Sequence, residues 1–134
     1  MLYGELIREH YRHPRNYGSL ERPDIVHEDV NPLCGDRIRI EVNVGLDEQV
    51  ADIRFRGDAC MISLAASSIL TEMVKERRLT AVCALWPSEL LQALEVQIRP
   101  ARLKCALLPL EILQTGIASY QSLRRVGEHA QDGA

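Results

Sequence analysis

Residues 37–44 place an apolar side chain at every second position: Ile38, Ile40, Val42 and Val44, with Arg37, Arg39, Glu41 and Asn43 between them. Successive side chains of a strand point to opposite faces, so this run buries one clean face only as a β-strand. Neighbouring segments supply its partners. Residues 24–30 predict a first strand. Val50, Ile53 and Phe55 mark a third, with Arg54 and Arg56 directed outward, and residues 45–48 make the turn before it. Connections this short predict an antiparallel meander.

After Cys60 the period changes. Ile62, Ala65, Ala66, Ile69, Leu70, Met73 and Val74 recur at helical spacing, which predicts a helix over residues 61–78. Residues 2–12 read as another, with Leu2, Leu6 and Ile7 on one face and Pro14 ending it. Pro87-Ser88-Glu89 opens a helix running to Leu94. Residues 102–108 predict a short helix and residues 111–126 a last long one. Strands first and helices later imply an α+β fold: a three-stranded antiparallel sheet with helices packed on one face.

A chain of 134 residues is long enough for one core, and residues 1–134 read as a single domain. A net charge of −3 argues against an extended nucleic-acid surface, which needs a basic excess. No stretch approaches the roughly 20 apolar residues that cross a membrane. The first residues lack the basic and apolar regions of a signal peptide, so the cytosol is the expected compartment. In a reducing cytosol, four cysteines are free thiols or metal ligands before they are disulfides.

Two of those cysteines lie in loop-like contexts, Asn31-Pro32-Leu33-Cys34-Gly35-Asp36 and Gly57-Asp58-Ala59-Cys60; a third follows Arg102-Leu103-Lys104 as Cys105. Cys34, Cys60 and Cys105 with Asp36 make three thiolates and a carboxylate, enough to close a tetrahedral site around a thiophilic metal. Cys34 falls between the first two strands, Cys60 where the third strand turns into a helix, and Cys105 in the short helix, so all can meet at one end of the sheet. A thiol at a helix N-terminus sits at the positive end of the helix dipole, which favours metal binding and nucleophilic chemistry at Cys60. Cys83, within Ala81-Val82-Cys83-Ala84-Leu85, reads as a small buried hydrophobe. His10 and His13 read as helix-surface or packing residues, Lys75, Arg77 and Arg78 as a solvated helix end, and Leu107, Leu108, Leu110 and Leu113 as core or interface.

Several blocks resemble the U-type iron–sulfur cluster scaffold family, which includes IscU, SufU and the N-terminal domain of NifU. They are His10-Tyr11-x-x-Pro14-Arg15-Asn16; Asn31-Pro32-x-Cys34-Gly35-Asp36; Ile53-x-Phe55-x-Gly57-x-x-Cys60-x-Ile62-Ser63-x-Ala65-x-Ser67-Ser68 with Thr71-Glu72; and Arg102-x-Lys104-Cys105-Ala106. The resemblance runs from about residue 3 to about residue 123. Lys104 stands where IscU-type members carry a histidine, and with Arg102 it resembles the SufU branch. The 44 residues between Cys60 and Cys105 lack that branch's usual insertion. Ala59 replaces the family glycine before the second cysteine, and Ile98-Arg99-Pro100-Ala101 lacks the double proline of the IscU chaperone-recognition stretch.

The resemblance implies that Cys34, Asp36, Cys60 and Cys105 bind zinc or iron and a transient [2Fe–2S] cluster. It implies a cysteine desulfurase as sulfur donor, and acceptor apoproteins or carrier proteins downstream. Cys105 or Cys34 is the expected persulfide acceptor, with Lys104 and Arg102 as auxiliary cations. Asp36, a harder ligand than a thiolate, is the expected exchangeable one. A cluster could also bridge two chains into a homo-oligomer. Three functions remain open: a non-enzymatic assembly scaffold, a zinc-dependent sulfur acceptor that stimulates a SufS-type desulfurase, and a zinc-stabilised structural module.

Overall fold

A computed structural model of the chain describes residues 4–132. Helix α1 (Glu5–Arg12) precedes strands β1 (Ile25–Val30), β2 (Arg37–Val44) and β3 (Val50–Asp58). Helices α2 (Met61–Val74), α3 (Leu79–Cys83), α4 (Pro87–Ala93) and α5 (Leu103–Asp132) follow. The strands form one antiparallel sheet in the order β1-β2-β3. Helix α5 packs on β1 and β2, α2 on β3, and α1 on α2. This is the α+β architecture expected. Leu2, assigned from sequence to the apolar face of α1, lies outside the described residues.

The alternation of β2 buries Ile38, Ile40 and Val42 against the helices. Strand β3 breaks alternation, yet Val50, Ile53 and Phe55 are all fully buried. A β-bulge resolves the phase: Asn43 faces Asp52 while Val44 faces Val50, so Ala51 is the extra residue. Glu41, expected on the outer face, is buried because the chain entering β1 comes over it. The Leu20 N–H and Arg39 Nε donate to its carboxylate, each at 2.8 Å.

Three helix boundaries differ from expectation. Helix α2 stops at Val74 rather than at residue 78: Lys75 turns extended (ψ 132°) and Glu76 left-handed (φ 70°). The Glu76 N–H then donates to the Val50 carbonyl and the Val50 N–H to the Arg77 carbonyl, both at 2.8 Å, clipping this segment to the start of β3. Lys75 is thus the exposed C-cap of α2, as expected of a solvated helix end, while Arg77 lies in the connection and Arg78 caps the start of the next helix. Helix α3 follows, unforeseen, and corrects the reading of Cys83: Val82 and Leu85 take the buried positions, and Cys83 is exposed. Residues 103–108 and 111–126 belong to one helix, α5, which continues through Pro109, while Arg102 ends a short 3-10 turn before it. A proline removes one N–H donor and does not by itself end a helix when the freed carbonyl finds another partner.

His10 has the packing role expected. Its Nδ1 lies 2.7 Å from Ser68 Oγ, which also accepts the Arg15 N–H at 2.8 Å. The other ring nitrogen, Nε2, is 3.6 Å from Glu72 Oε1. Burial lowers the His10 pKa from 6.5, aided by the Arg15 charge and opposed by Glu72 and Glu9. The unfolded chain thus binds a proton that the folded one resists. The stabilisation from His10 is complete above 6.5 and is lost as pH falls through the lower folded value. Metal-free protein should lose thermal stability as pH falls below 6.5, and His10→Gln should flatten that slope. Equal slopes in both proteins would refute the assignment.

Candidate metal centre

Local geometry explains why two loops and a helix start converge. In the β1–β2 loop the Asn31 N–H donates to the Asp36 carbonyl and the Gly35 N–H to the Asn31 carbonyl, both at 2.7 Å. Asn31 Oδ1 accepts the Leu33 N–H at 3.0 Å. Gly35 adopts φ 77°, a conformation that side-chain-bearing residues rarely take. The turn leaves Cys34 exposed and turns Asp36 inward, where it is 5% exposed. Across the sheet, a Cβ on Gly57 would lie 2.2 Å from the Arg37 carbonyl oxygen, so only glycine lets β3 meet β2 here. The strand then delivers Cys60 as the N-cap residue of α2. Cys105 comes from the first turn of α5 and is 3% exposed.

The structure brings together Cys34, Asp36 and Cys105. The two sulfurs are 3.6 Å apart, and with an Asp36 carboxylate oxygen they lie within 4.8 Å of one another. Two thiolates on a tetrahedral zinc, each at about 2.3 Å, stand roughly 3.8 Å apart, so the donor set and its spacing suit a thiophilic metal. Cys60 stands at the rim. Its N–H donates to Asp36 Oδ1 at 2.9 Å, and its sulfur lies 3.6 Å from Ser63 Oγ, outside the three-atom group. A four-ligand site needs that sulfur closer to the other three donor atoms.

Burial pushes the Asp36 carboxyl pKa up, but hydrogen bonds from the Ser63 hydroxyl, the Cys60 amide and the Cys60 and Cys34 thiols more than offset it. The net shift is downward, which keeps an anion beside the sulfurs. The Cys105 thiol is pushed up to about 12, first by burial, then by the hydrogen bond with Cys34 and by Cys60 and Asp36. Without metal, Cys105 keeps its proton at neutral pH, and a metal must displace that proton to bind. Lys104 and Arg102 are exposed beside this cluster, and Lys104 lines a shallow groove with Pro32, Leu33, Leu108 and Glu111. Sequence reasoning gave no role to Ser63 or Pro109. The signal was there for Pro109, which falls four residues after Cys105, one helical hydrogen bond away.

Fold and site together describe an α+β protein that gathers thiols and a carboxylate at one end of its sheet. The chain belongs to the family of the NifU-like N terminal domain, whose model matches residues 2–126. This bears out the resemblance read from the motifs. Over 130 residues the chain is 32% identical to the iron–sulfur cluster assembly scaffold protein IscU of Escherichia coli (strain K12), covering 92% of this chain and 98% of that protein. Over 137 residues it is 34% identical to the zinc-dependent sulfurtransferase SufU of Bacillus subtilis (strain 168), covering 90% and 92%. The fold is similar to that of a nitrogen-fixing NifU-like protein (N-terminal) from Brucella abortus, with a TM-score of 0.75 at 21% identity over 90% of this chain and 95% of that one.

Proposed function

We propose that this protein is an iron–sulfur cluster assembly scaffold. It accepts sulfur from a cysteine desulfurase, holds iron or zinc and a transient [2Fe–2S] cluster on Cys34, Asp36, Cys60 and Cys105, and passes the cluster to acceptor apoproteins or carrier proteins. One observation carries this reading: Cys34 and Cys105, 71 positions apart in sequence, hold their sulfurs 3.6 Å apart beside the buried Asp36 carboxylate. Metal and cluster are cargo here, so the site has to be reachable and reversible. Cys34 sits exposed at a loop tip, and Leu33 beside it is 80% exposed. A thiolate on Cys34 or Cys105 would attack the outer sulfur of the donor's persulfide. The donor's S–S bond breaks, its cysteine leaves as thiolate, and the acceptor becomes the persulfide. Exposure favours Cys34 for first contact, with Cys105 within relay distance.

A second reading has its own support. Lys104 and Arg102 are exposed next to the thiols, and the identity to SufU matches that to IscU. In it, the zinc-loaded protein is the sulfur acceptor of a desulfurase and assembles nothing. A purely structural zinc module is disfavoured, because the apolar core from Ile7 to Ile117 extends far beyond Cys105, its one member from the cluster. Among the described residues no helix is long and apolar enough to cross a membrane. The cytosol is the proposed compartment.

Anaerobic incubation with a cysteine desulfurase, cysteine and ferrous iron separates the two. A visible circular-dichroism signal of a [2Fe–2S] cluster that moves to an apo-ferredoxin supports the scaffold. Faster desulfurase turnover with zinc-loaded protein, and no cluster, supports the sulfur acceptor. Removing the exchangeable ligand should slow cluster loss. Asp36→Ala is expected to lengthen cluster lifetime by roughly tenfold, the effect of about 1.4 kcal/mol on a barrier, and a shorter lifetime would count against that role.

A further inference from the structure

Pro109 has a consequence at Cys105. In an α-helix the carbonyl of residue i accepts the N–H of residue i+4. Residue i+4 from Cys105 is Pro109, which has no N–H, so the Cys105 carbonyl has no intrahelical donor of that kind. That carbonyl is instead 2.8 Å from Ser63 Oγ, on the first turn of α2. The same hydroxyl is 2.8 Å from Asp36 Oδ2, and the Cys60 sulfur lies 3.6 Å from it. Ser63 is fully buried and therefore has no water to substitute for these partners.

A hydroxyl carries one proton. Asp36 Oδ2 and the Cys105 carbonyl are both acceptors, so Ser63 can donate to only one of them at a time. The geometry points to Ser63 as the positioning residue of the metal centre: its hydroxyl stands between the Asp36 carboxylate and the Cys105 carbonyl that Pro109 frees, and orients the carboxylate when it donates to it. This inference rests on the metal-site reading above. Ser63 binds no metal itself. It fixes the direction of one ligand oxygen and shifts to the Cys105 carbonyl when that oxygen turns to a metal. Residues one step beyond the ligands typically change metal affinity by about 10–100-fold when removed.

The test is an anaerobic competition titration with zinc, paired with the visible spectrum of the cobalt-substituted protein. Four proteins are compared: unmodified, Ser63→Ala, Ser67→Ala and Cys105→Ser. Ser67 is an equally buried hydroxyl one turn on, donating to the Ser63 carbonyl at 2.7 Å, and it controls for loss of a buried hydroxyl. Ser63→Ala should weaken zinc by about 10–100-fold and shift the cobalt ligand-field bands, while Ser67→Ala does neither. Unchanged affinity and spectrum in Ser63→Ala, with Cys105→Ser still weakened, would overturn the inference and leave the metal site standing. Equal losses in Ser63→Ala and Ser67→Ala would overturn it too, as a folding effect. Indifference to Cys105→Ser would overturn the metal site itself. Should Ser63→Ala not fold, Ser63→Thr and Ser63→Val share one added bulk and differ in the hydroxyl. Tighter zinc in the Thr variant is expected, and equal affinities would refute the role.

Discussion

Cys105→Ser is expected to lower zinc affinity at least about 100-fold, beyond the upper end of what losing an outer partner does. Serine keeps the size of the side chain and removes its soft donor. Its oxygen is harder than sulfur and does not ionise near neutral pH, so it replaces a thiolate poorly. Folding should persist, because Cys105 is one small member of an extensive core. The loss will therefore show in a chelator competition and hardly in the far-ultraviolet spectrum. Cys83→Ser is the matching control: Cys83 is exposed and belongs to α3, away from the cluster, so affinity should not change. An unchanged affinity in Cys105→Ser would remove the distant third ligand and reduce the site to the Cys34 loop.

Gly57→Ala is the second large effect, and it acts on fold and site together. The added methyl would lie 2.2 Å from the Arg37 carbonyl oxygen and 2.9 Å from Ile38 Cδ1. The obstacle at the shorter distance is backbone, so the end of the β2–β3 ladder has to open. That ladder end pairs Ile38 with Gly57 and Arg37 with Asp58, directly before Asp36 on one strand and just ahead of Cys60 on the other. Steric insertion into well-packed structure typically destabilises by about 1–3 kcal/mol, occasionally more. Thermal denaturation should show at least that loss. Zinc affinity should fall with it, because the Cys60 N–H to Asp36 Oδ1 bond depends on the same approach. A variant with full stability and full affinity would mean that the close approach is not needed to build the site.

The fold was legible wherever a period was clean. The alternation of residues 37–44 and the helical spacing after Cys60 placed β2, β3 and the start of α2, and with them the α+β arrangement. What escaped was set by contacts between distant segments. The end of α2 depends on Glu76 pairing with Val50, and nothing in the run Lys75-Glu76-Arg77-Arg78 forbids another helical turn. The continuity of α5 through Pro109 leaves the Cys105 carbonyl to Ser63, a partner from another helix. Cys83 looked like core from its apolar neighbours, but α3 buries only Leu79 and Val82 and leaves Thr80, Ala81 and Cys83 exposed.

The candidate cluster was legible for a different reason: glycine and asparagine beside Cys34 are turn chemistry that needs no periodicity. The structure groups Cys34, Asp36 and Cys105 as expected and leaves the Cys60 sulfur at the rim. Ser63 went unassigned because a serine inside an apolar helix has many bland uses. Only the three-dimensional positions of Asp36 and the Cys105 carbonyl single it out.

The most direct measurement is zinc K-edge X-ray absorption of the protein loaded with one equivalent of zinc under anaerobic conditions. Cys34, Cys60, Cys105 and Asp36 together predict three sulfurs at about 2.3 Å and one lighter oxygen ligand at about 2.0–2.2 Å, with the oxygen shell changed in Asp36→Ala. A first shell with two sulfurs or fewer, or one indifferent to Asp36, would contradict the four-ligand site on which the proposed function rests.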